Sequence, residues 1–365
     1  MPVLGNGCNK GFGLTLLLAT TLGAAEPIEM GPFPTREMFP LALASMVYQP
    51  VDPTPIGTGR WQAAFHHVRG NTFEFSEILK TQAPRDVAGR VVLTRDFVLA
   101  HAAEYASIPL IFYFDEEVVR SSLRLRTGLT DHTDLWAEIP FQSHSGGKLD
   151  GVIEGFHKLG FEQYGRDQVA KNQLVLVVMA YGQLLFYNDE SIRGKTQDPI
   201  VGITHQFVKR KTWSLSGYAS VKPPFTTTYQ VYKSGWDQTY GLSARWQPGT
   251  RHVFYAGAAY IRRPHGNAAY SSDPLGGPRN GIGAHAAWEF RRSAKWRPFF
   301  QLYFQTGLLR EQVYQKLDRA SLQHDLGLHW TFQKNTVITA HYMNNISHNA
   351  NTADMSLGLS LDMRF

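Results

Sequence analysis

The chain has 365 residues, 43% hydrophobic and 18% charged, with a formal net charge of +6 and a single cysteine. A mean hydropathy of −0.26, and only one apolar stretch of any length, argue against a helical membrane bundle, whose spans each need about twenty apolar residues. The Lys and Arg are interleaved with acids and form no basic run, so the pI near 9.2 does not point to nucleic acid.

Residues 1–25 read as a cleaved secretory signal. Lys10 supplies the positive region, Gly11–Leu22 the apolar region, and Leu22-Gly23-Ala24 and Gly23-Ala24-Ala25 the small-residue cleavage sites. Twelve apolar residues are too few for a spanning helix, the alternative reading. Cleavage leaves 26–365 as one domain and removes Lys10, taking the charge from +6 to +5 because no Asp or Glu precedes residue 26. Cys8 leaves too, and it precedes the apolar stretch, unlike a lipid-attachment cysteine. The mature chain then has no disulfide, thiolate metal site or cysteine nucleophile.

Beyond the signal, period-two alternation dominates. About thirteen strands are counted from Val119 onward, and candidate segments such as Gly59–Arg69 and Arg90–Leu99 must add an odd number for the barrel to close. In 119–130, Val119, Leu123, Leu125 and Leu129 share one face, leaving Arg120, Arg124 and Arg126 on the other. In the next strand Leu135, Ala137, Ile139 and Phe141 face one way, Asp134 and Glu138 the other. Further alternating runs follow at 172–188, 213–221, 240–246, 282–290, 300–305 and 322–332. The last, Met355–Phe365, is unbroken: Met355, Leu357, Leu359, Leu361, Met363 and Phe365 are apolar, and the residues between them small or polar.

Connections take turns in length. Short ones lie near 130–133, 180–183, 209–211, 247–250, 291–295 and 333–335. Long ones lie near 143–171, 188–198, 222–235, 262–280, 309–320 and 345–353. Short turns on one side and long loops on the other characterise an outer-membrane β-barrel, with the short set periplasmic. Aromatics at strand ends (Trp61, Trp213, Trp236, Trp246, Trp296, Trp330, Tyr342, Phe365) suit interfacial girdles. The expected fold is all-β, a transmembrane antiparallel up-and-down barrel of about 14 strands, with 12 to 16 admissible. Leu149, Val152, Ile153 and Phe156 follow i, i+3, i+4, i+7, which predicts a short amphipathic helix over Gly147–Lys158 in the longest connection. It would plug the lumen, lie on the outer leaflet or cap the barrel.

Ile139–His157, with Leu123–Asp131 before it and Gly165-Arg166-Asp167 after it, resembles the signature of an uncharacterised family of Gram-negative outer-membrane proteins, domain of unknown function 3187. The stretch Leu159–Tyr164 departs from that pattern, and 77–118 is longer than usual. The resemblance implies a barrel and no activity. The Phe365 terminus, with Met363 and Leu361, is similar to the signal read by the barrel-assembly machinery. Expected partners are therefore that machinery, periplasmic chaperones and outer-membrane lipids, with the chain a monomer.

Two clusters are candidates for chemistry. Arg120, Arg124, Arg126, Asp134 and Glu138 form a lumen charge cluster; a three-residue turn, 131–133, would set Arg126 opposite Glu138. Such a cluster is a structural ion-pair network or a charged constriction. Ser143, His144, Ser145, Gly146 and Gly147, followed by Asp150, Glu154 and His157, form the densest polar motif. Neighbours on a strand face opposite ways, so His144 cannot readily activate Ser143 or Ser145. Asp150, Glu154 and His157 share a helix face that would suit a divalent cation, or simply helix capping. His66 and His67 face opposite ways and cannot share a metal. No cofactor motif occurs. The reading is a passive channel for small solutes, not an enzyme; the alternatives are a lipid-modifying barrel enzyme and a closed structural barrel.

Overall fold

Alternation becomes a closed wall. In a computed structural model, which describes residues 29–158, 168–226, 235–264, 278–309, 317–347 and 352–365, twelve antiparallel strands close on themselves. They are β1 (Trp61–Phe75), β2 (Ile111–Thr130), β3 (Thr133–Ser145), β7 (Ile200–Lys209), β8 (Trp213–Lys222), β9 (Asp237–Trp246), β10 (His252–Arg262), β11 (Gly281–Phe290), β12 (Trp296–Gln305), β13 (Ser321–Gln333), β14 (Thr336–Asn345) and β15 (Met355–Arg364). The last strand pairs with the first from Gln62↔Arg364 to Asn71↔Met355, and Phe365 N–H donates to Trp61 O at 2.8 Å. The expected signal peptide lies outside the described residues.

The period-two pattern sorts side chains by solvent. Leu125, Ile139, Ile203, Leu242, Ile282 and Leu359 point outward and are exposed, as a lipid-facing wall requires. Their neighbours Arg126, Glu138, Thr204, Ser243 and Ser360 point inward and are buried. Turns between β2 and β3, β7 and β8, β9 and β10, β11 and β12, and β13 and β14 all lie at the end of the wall that holds Trp61 and Phe365. Trp213 is opposite Trp246, and Trp296 stacks on Trp330 at 5.7 Å, at that same end. These are the periplasmic turns and their aromatic girdle.

The wall has 12 strands, within the expected 12 to 16 and two fewer than 14 because the 172–188 hairpin is not part of it. β4 (Val175–Ala180) and β5 (Gln183–Asn188) form an outer extension: β4 pairs with the first residues of β2, from Ile111↔Met179 to Asp115↔Val175. Every β4 residue is buried. An unbroken apolar run such as Val-Leu-Val-Val-Met-Ala marks a strand covered on both faces, whereas lipid-facing strands alternate. Its short turn at 181–182 is therefore on the outer side. β6 (Ile192–Thr196) pairs with the outer end of β3 and continues into β7 after an irregular stretch.

β1 and β2 outrun the wall to carry this extension. One face of the β1–β2–β4 sheet is covered by α2 (Glu77–Gln82) and α3 (Arg95–Ala100), through Phe73, Phe75, Leu79, Val98, Ile111, Tyr113 and Val177. Of the two candidate segments, 59–69 lies in β1 from Trp61 onward while 90–99 contains a helix, which Thr94 Oγ1 caps by accepting from Phe97 N–H. The other face, with Phe112, Phe114, Leu176 and Val178, overhangs the barrel mouth.

Candidate functional site

The lumen is filled by the chain's own N-terminal segment. Residues 29–58 enter at the periplasmic end, climb to the outer mouth, turn over α1 (Pro40–Leu43) and descend again to β1. At the periplasmic end the Glu29 carboxylate meets Arg245 at 3.1 Å and Arg291 at 3.4 Å. Near the outer mouth Glu37 accepts from Ala353 N–H (3.0 Å) and Gln323 Nε2 (2.6 Å). On the way down Thr58 donates to Asp131, in the periplasmic β2–β3 turn, at 2.7 Å.

The sequence dictates this irregular path. Pro32, Pro34, Pro40, Pro50, Pro53 and Pro55 lack N–H donors and cannot build a strand ladder. Their buried carbonyl neighbours still require partners, and the wall's inward side chains supply them. Gln301 donates to Phe33 O (2.9 Å), Arg263 Nε to Met46 O (2.8 Å) and Tyr303 to Tyr48 O (2.9 Å). Ser243 donates to Val51 O (2.6 Å), and Ser216 and Gln206 to Pro53 O (2.5 and 3.2 Å).

Side chains of the segment also fit wall positions. The Phe33 ring lies 4.3 Å from His341 and 5.6 Å from Phe299. Tyr48 Oη pairs with His285 Nδ1 at 2.7 Å, and its N–H donates to Gln305 at 2.8 Å. Two glycines make the room: a Cβ on Gly283 would lie 2.2 Å from Tyr48 Cβ, and one on Gly70 2.8 Å from Met38 Cβ. At the outer mouth Phe39, Leu41, Ala42 and Val47 pack under Phe112, Phe114, Leu176 and Leu309, closing the top. Uncovering a side chain of this size costs about 1.5–3 kcal/mol. A cavity of about 50 Å³ remains between the two limbs, bordered by Phe33, Val51, Arg124 and Trp136.

The lumen charge cluster is assembled, with altered pairing. The β2–β3 turn has two residues, Thr130 pairs with Thr133, and an irregularity between Gly128 and Thr130 resets the register. Arg124 is therefore opposite Glu138, and Arg126 opposite Trp136. The ion pairs run diagonally. Arg120 bonds Glu138, and Arg126 Nε donates to Asp134 at 2.8 Å. Arg124 instead lies over the Trp136 ring, 4.2 Å from its centroid. Arg126 also reaches the segment, donating to Asp52 (3.2 Å) and Thr54 O (2.6 Å), while Asp134 accepts from Ile56 N–H. The cluster is the clamp on the descending limb. In the turn outside the wall, the side-chain and backbone hydrogen bonds from Thr58 hold the Asp131 carboxyl below the usual range.

The polar motif after β3 does other work. His144 points inward to Glu116 (Nδ1–Oε2 2.8 Å), and Ser143 Oγ accepts from Gly194 N–H at 2.8 Å, so each is engaged with a residue outside the motif. Gly146 presses on Asn172 backbone and Gly147 on Glu117, so both must stay small. Ser145 closes the β2–β3 pairing opposite Glu117. The expected helix forms as α4 (Asp150–His157), with Leu149 and Ile153 buried but Val152 exposed. Asp150 accepts from Asn71 Nδ2 (2.9 Å) and Asn172 N–H (2.6 Å), and Glu154 pairs with Arg90 and Lys171. The side chains of Phe156 and His157 lie outside the described residues. Among the described residues no group of three or more His, Cys, Asp and Glu is arranged to hold a metal. α4 caps the outer end; the plug is residues 29–58. Sequence reading missed it, although the proline-rich stretch between signal and first strand was the available sign.

Comparison with known proteins agrees with this architecture. The model of a family described as a protein of unknown function, DUF3187, matches residues 95–365, and the chain belongs to that family. No curated protein matches the sequence. The fold is similar to the COG4313 outer membrane channel from Pseudomonas putida F1, at 10% identity and a TM-score of 0.54, covering 87% of this chain and all of that one. Looser similarity extends to the NanC porin (8% identity, TM-score 0.42, 82% of this chain and 98% of that one). The protein is a β-barrel of the Gram-negative outer membrane.

Proposed function

We propose that this protein is a channel for small polar solutes that rests closed, with residues 29–58 as its stopper. One observation carries the reading: the segment is held by the ends of wall side chains, not by a backbone ladder. Each of those donors is met equally well by water, so withdrawal exchanges partners without breaking the wall. A barrel filled for stability alone would use large apolar side chains of its own strands. Here many inward positions are polar, among them Gln301, Gln323, Ser216, Ser243, Thr204 and Asp325, which suit a wet lumen. The similarity to a channel fold supports the same reading.

The test is deletion of residues 31–56 and single-channel recording in a planar bilayer. Heat-modifiable gel migration first establishes that the shortened barrel has folded. The expected result is large steady conductance, against rare brief openings of the intact chain. A folded, inserted deletion variant that conducts no better than the intact chain overturns the reading.

A further inference from the structure

Where the ascending limb passes the outer half of the wall, a small enclosed space is bordered by Arg36, Arg120, Gln142, Gln197, Asp198 and Lys222. Arg36 comes from the segment, Arg120 from β2, Gln142 from β3, and Gln197 from the stretch between β6 and β7. Arg36, Arg120 and Gln197 are all more than nine-tenths buried. Arg36 Nε and Nη1, Arg120 Nε and Gln197 Nε2 have no hydrogen-bond partner among the described residues. All four are donors. Arg36 bonds Ser45 O through Nη2 alone and has no carboxylate within 4 Å among the described residues. The one acid bordering the space, Asp198, is already engaged by Lys222 at 3.0 Å and by Thr226.

A buried cation with unmet donors costs several kcal/mol, and the carboxylate nearest in effect, Glu138, is already bonded to Arg120. The geometry points to a monatomic anion, chloride in the cell envelope, bound between Arg36, Arg120 and Gln197. Size excludes the polyatomic anions, and chemistry separates a halide from water. The space is about 10 Å³, which leaves room for a single small species and not for phosphate, sulfate or a carboxylate. A water accepts only two hydrogen bonds and brings two protons of its own that need acceptors. A halide accepts from every donor around it and adds negative charge beside two guanidinium groups that otherwise share Glu138. The anion then ties the segment to the wall, because its ligands come from both.

Two measurements on the intact mature protein test this, and neither depends on conductance. Crystals soaked in sodium bromide should show an anomalous peak within hydrogen-bond distance of Arg36, Arg120 and Gln197. At constant ionic strength, replacing gluconate by chloride should raise Tm, the increment growing with the logarithm of chloride once the site half-fills. Arg36→Met should abolish the chloride dependence, and Arg85→Met, in the outer extension, should keep it. Absence of the bromide peak, or equal Tm in the two anions for the unsubstituted protein, overturns the site; both readings stand even when Arg36→Met does not fold.

Discussion

Arg126 is where the wall grips the descending limb, and its removal has a calculable effect on closure. Its guanidinium holds Asp134 on β3, Asp52 on the segment and the carbonyl of Thr54. Asp134 is fully buried, and Arg126 itself is 8% exposed. Arg126→Ala leaves the Asp134 carboxylate buried with only Ile56 N–H as partner, and breaking such a buried pair costs about 3–5 kcal/mol. The cost falls on the closed state, because water solvates Asp134 once the segment leaves. At about 1.4 kcal/mol per tenfold, the open-to-closed ratio should rise by roughly 10² to 4 × 10³-fold. Asp52→Asn removes the charged one of the two partners on the segment and keeps Arg126 on Asp134 and on Thr54 O. A single hydrogen bond to a charged group at a partly exposed site contributes about 1 kcal/mol, so that variant should rise about fivefold. Open probability in bilayer recordings measures both. An Arg126→Ala barrel that folds and gates within threefold of the parent refutes the clamp, as does Asp52→Asn exceeding it.

Gly283→Val places its side chain where Tyr48 sits, so it should evict the segment without harming the wall; liposome swelling should show faster solute entry, and an unchanged rate would count against close packing there. Acid acts at the periplasmic turn. The folded-state pKa of Asp131 is depressed below 3.8, so its anchoring of Thr58 is complete above about pH 5 and lost as pH falls through the depressed value. The Tm gap between the parent and Asp131→Asn should therefore be flat above about pH 5 and shrink below it; a gap that widens on acidification would contradict the assignment.

What the sequence made legible is what a two-residue period encodes. Strands such as β15 and β13 must bury one face and wet the other, and alternation states this directly. Loop lengths then set the orientation. The same pattern had no means of marking β4, whose apolar run serves a sheet covered on both faces, and that run accounts for the two surplus strands. The faces of the charge cluster were legible from parity, but its partners were not: the irregularity beside Gly128 shifts register without altering the alternation that would reveal it. The stopper was hidden for a third reason. Its conformation is set by prolines and by side chains from strands hundreds of residues away, such as Gln301 for Phe33 and Tyr303 for Tyr48. No local period records that.

The stopper begins and ends at the same mouth and is joined to the wall through residues 59–60. Once out, its thirty-odd residues reach on the order of 100 Å at full extension, yet they stay leashed to the periplasmic rim. A leashed chain samples its receptor at millimolar effective concentration whatever the abundance of the protein. On the proposed reading, reclosure would therefore be a first-order event, timed by the leash and not by the encounter of two molecules. The envelope would recover its barrier after each opening without recruiting anything, and the duration of an opening would be set by how long a force, a ligand or a passing solute keeps the leash from slackening.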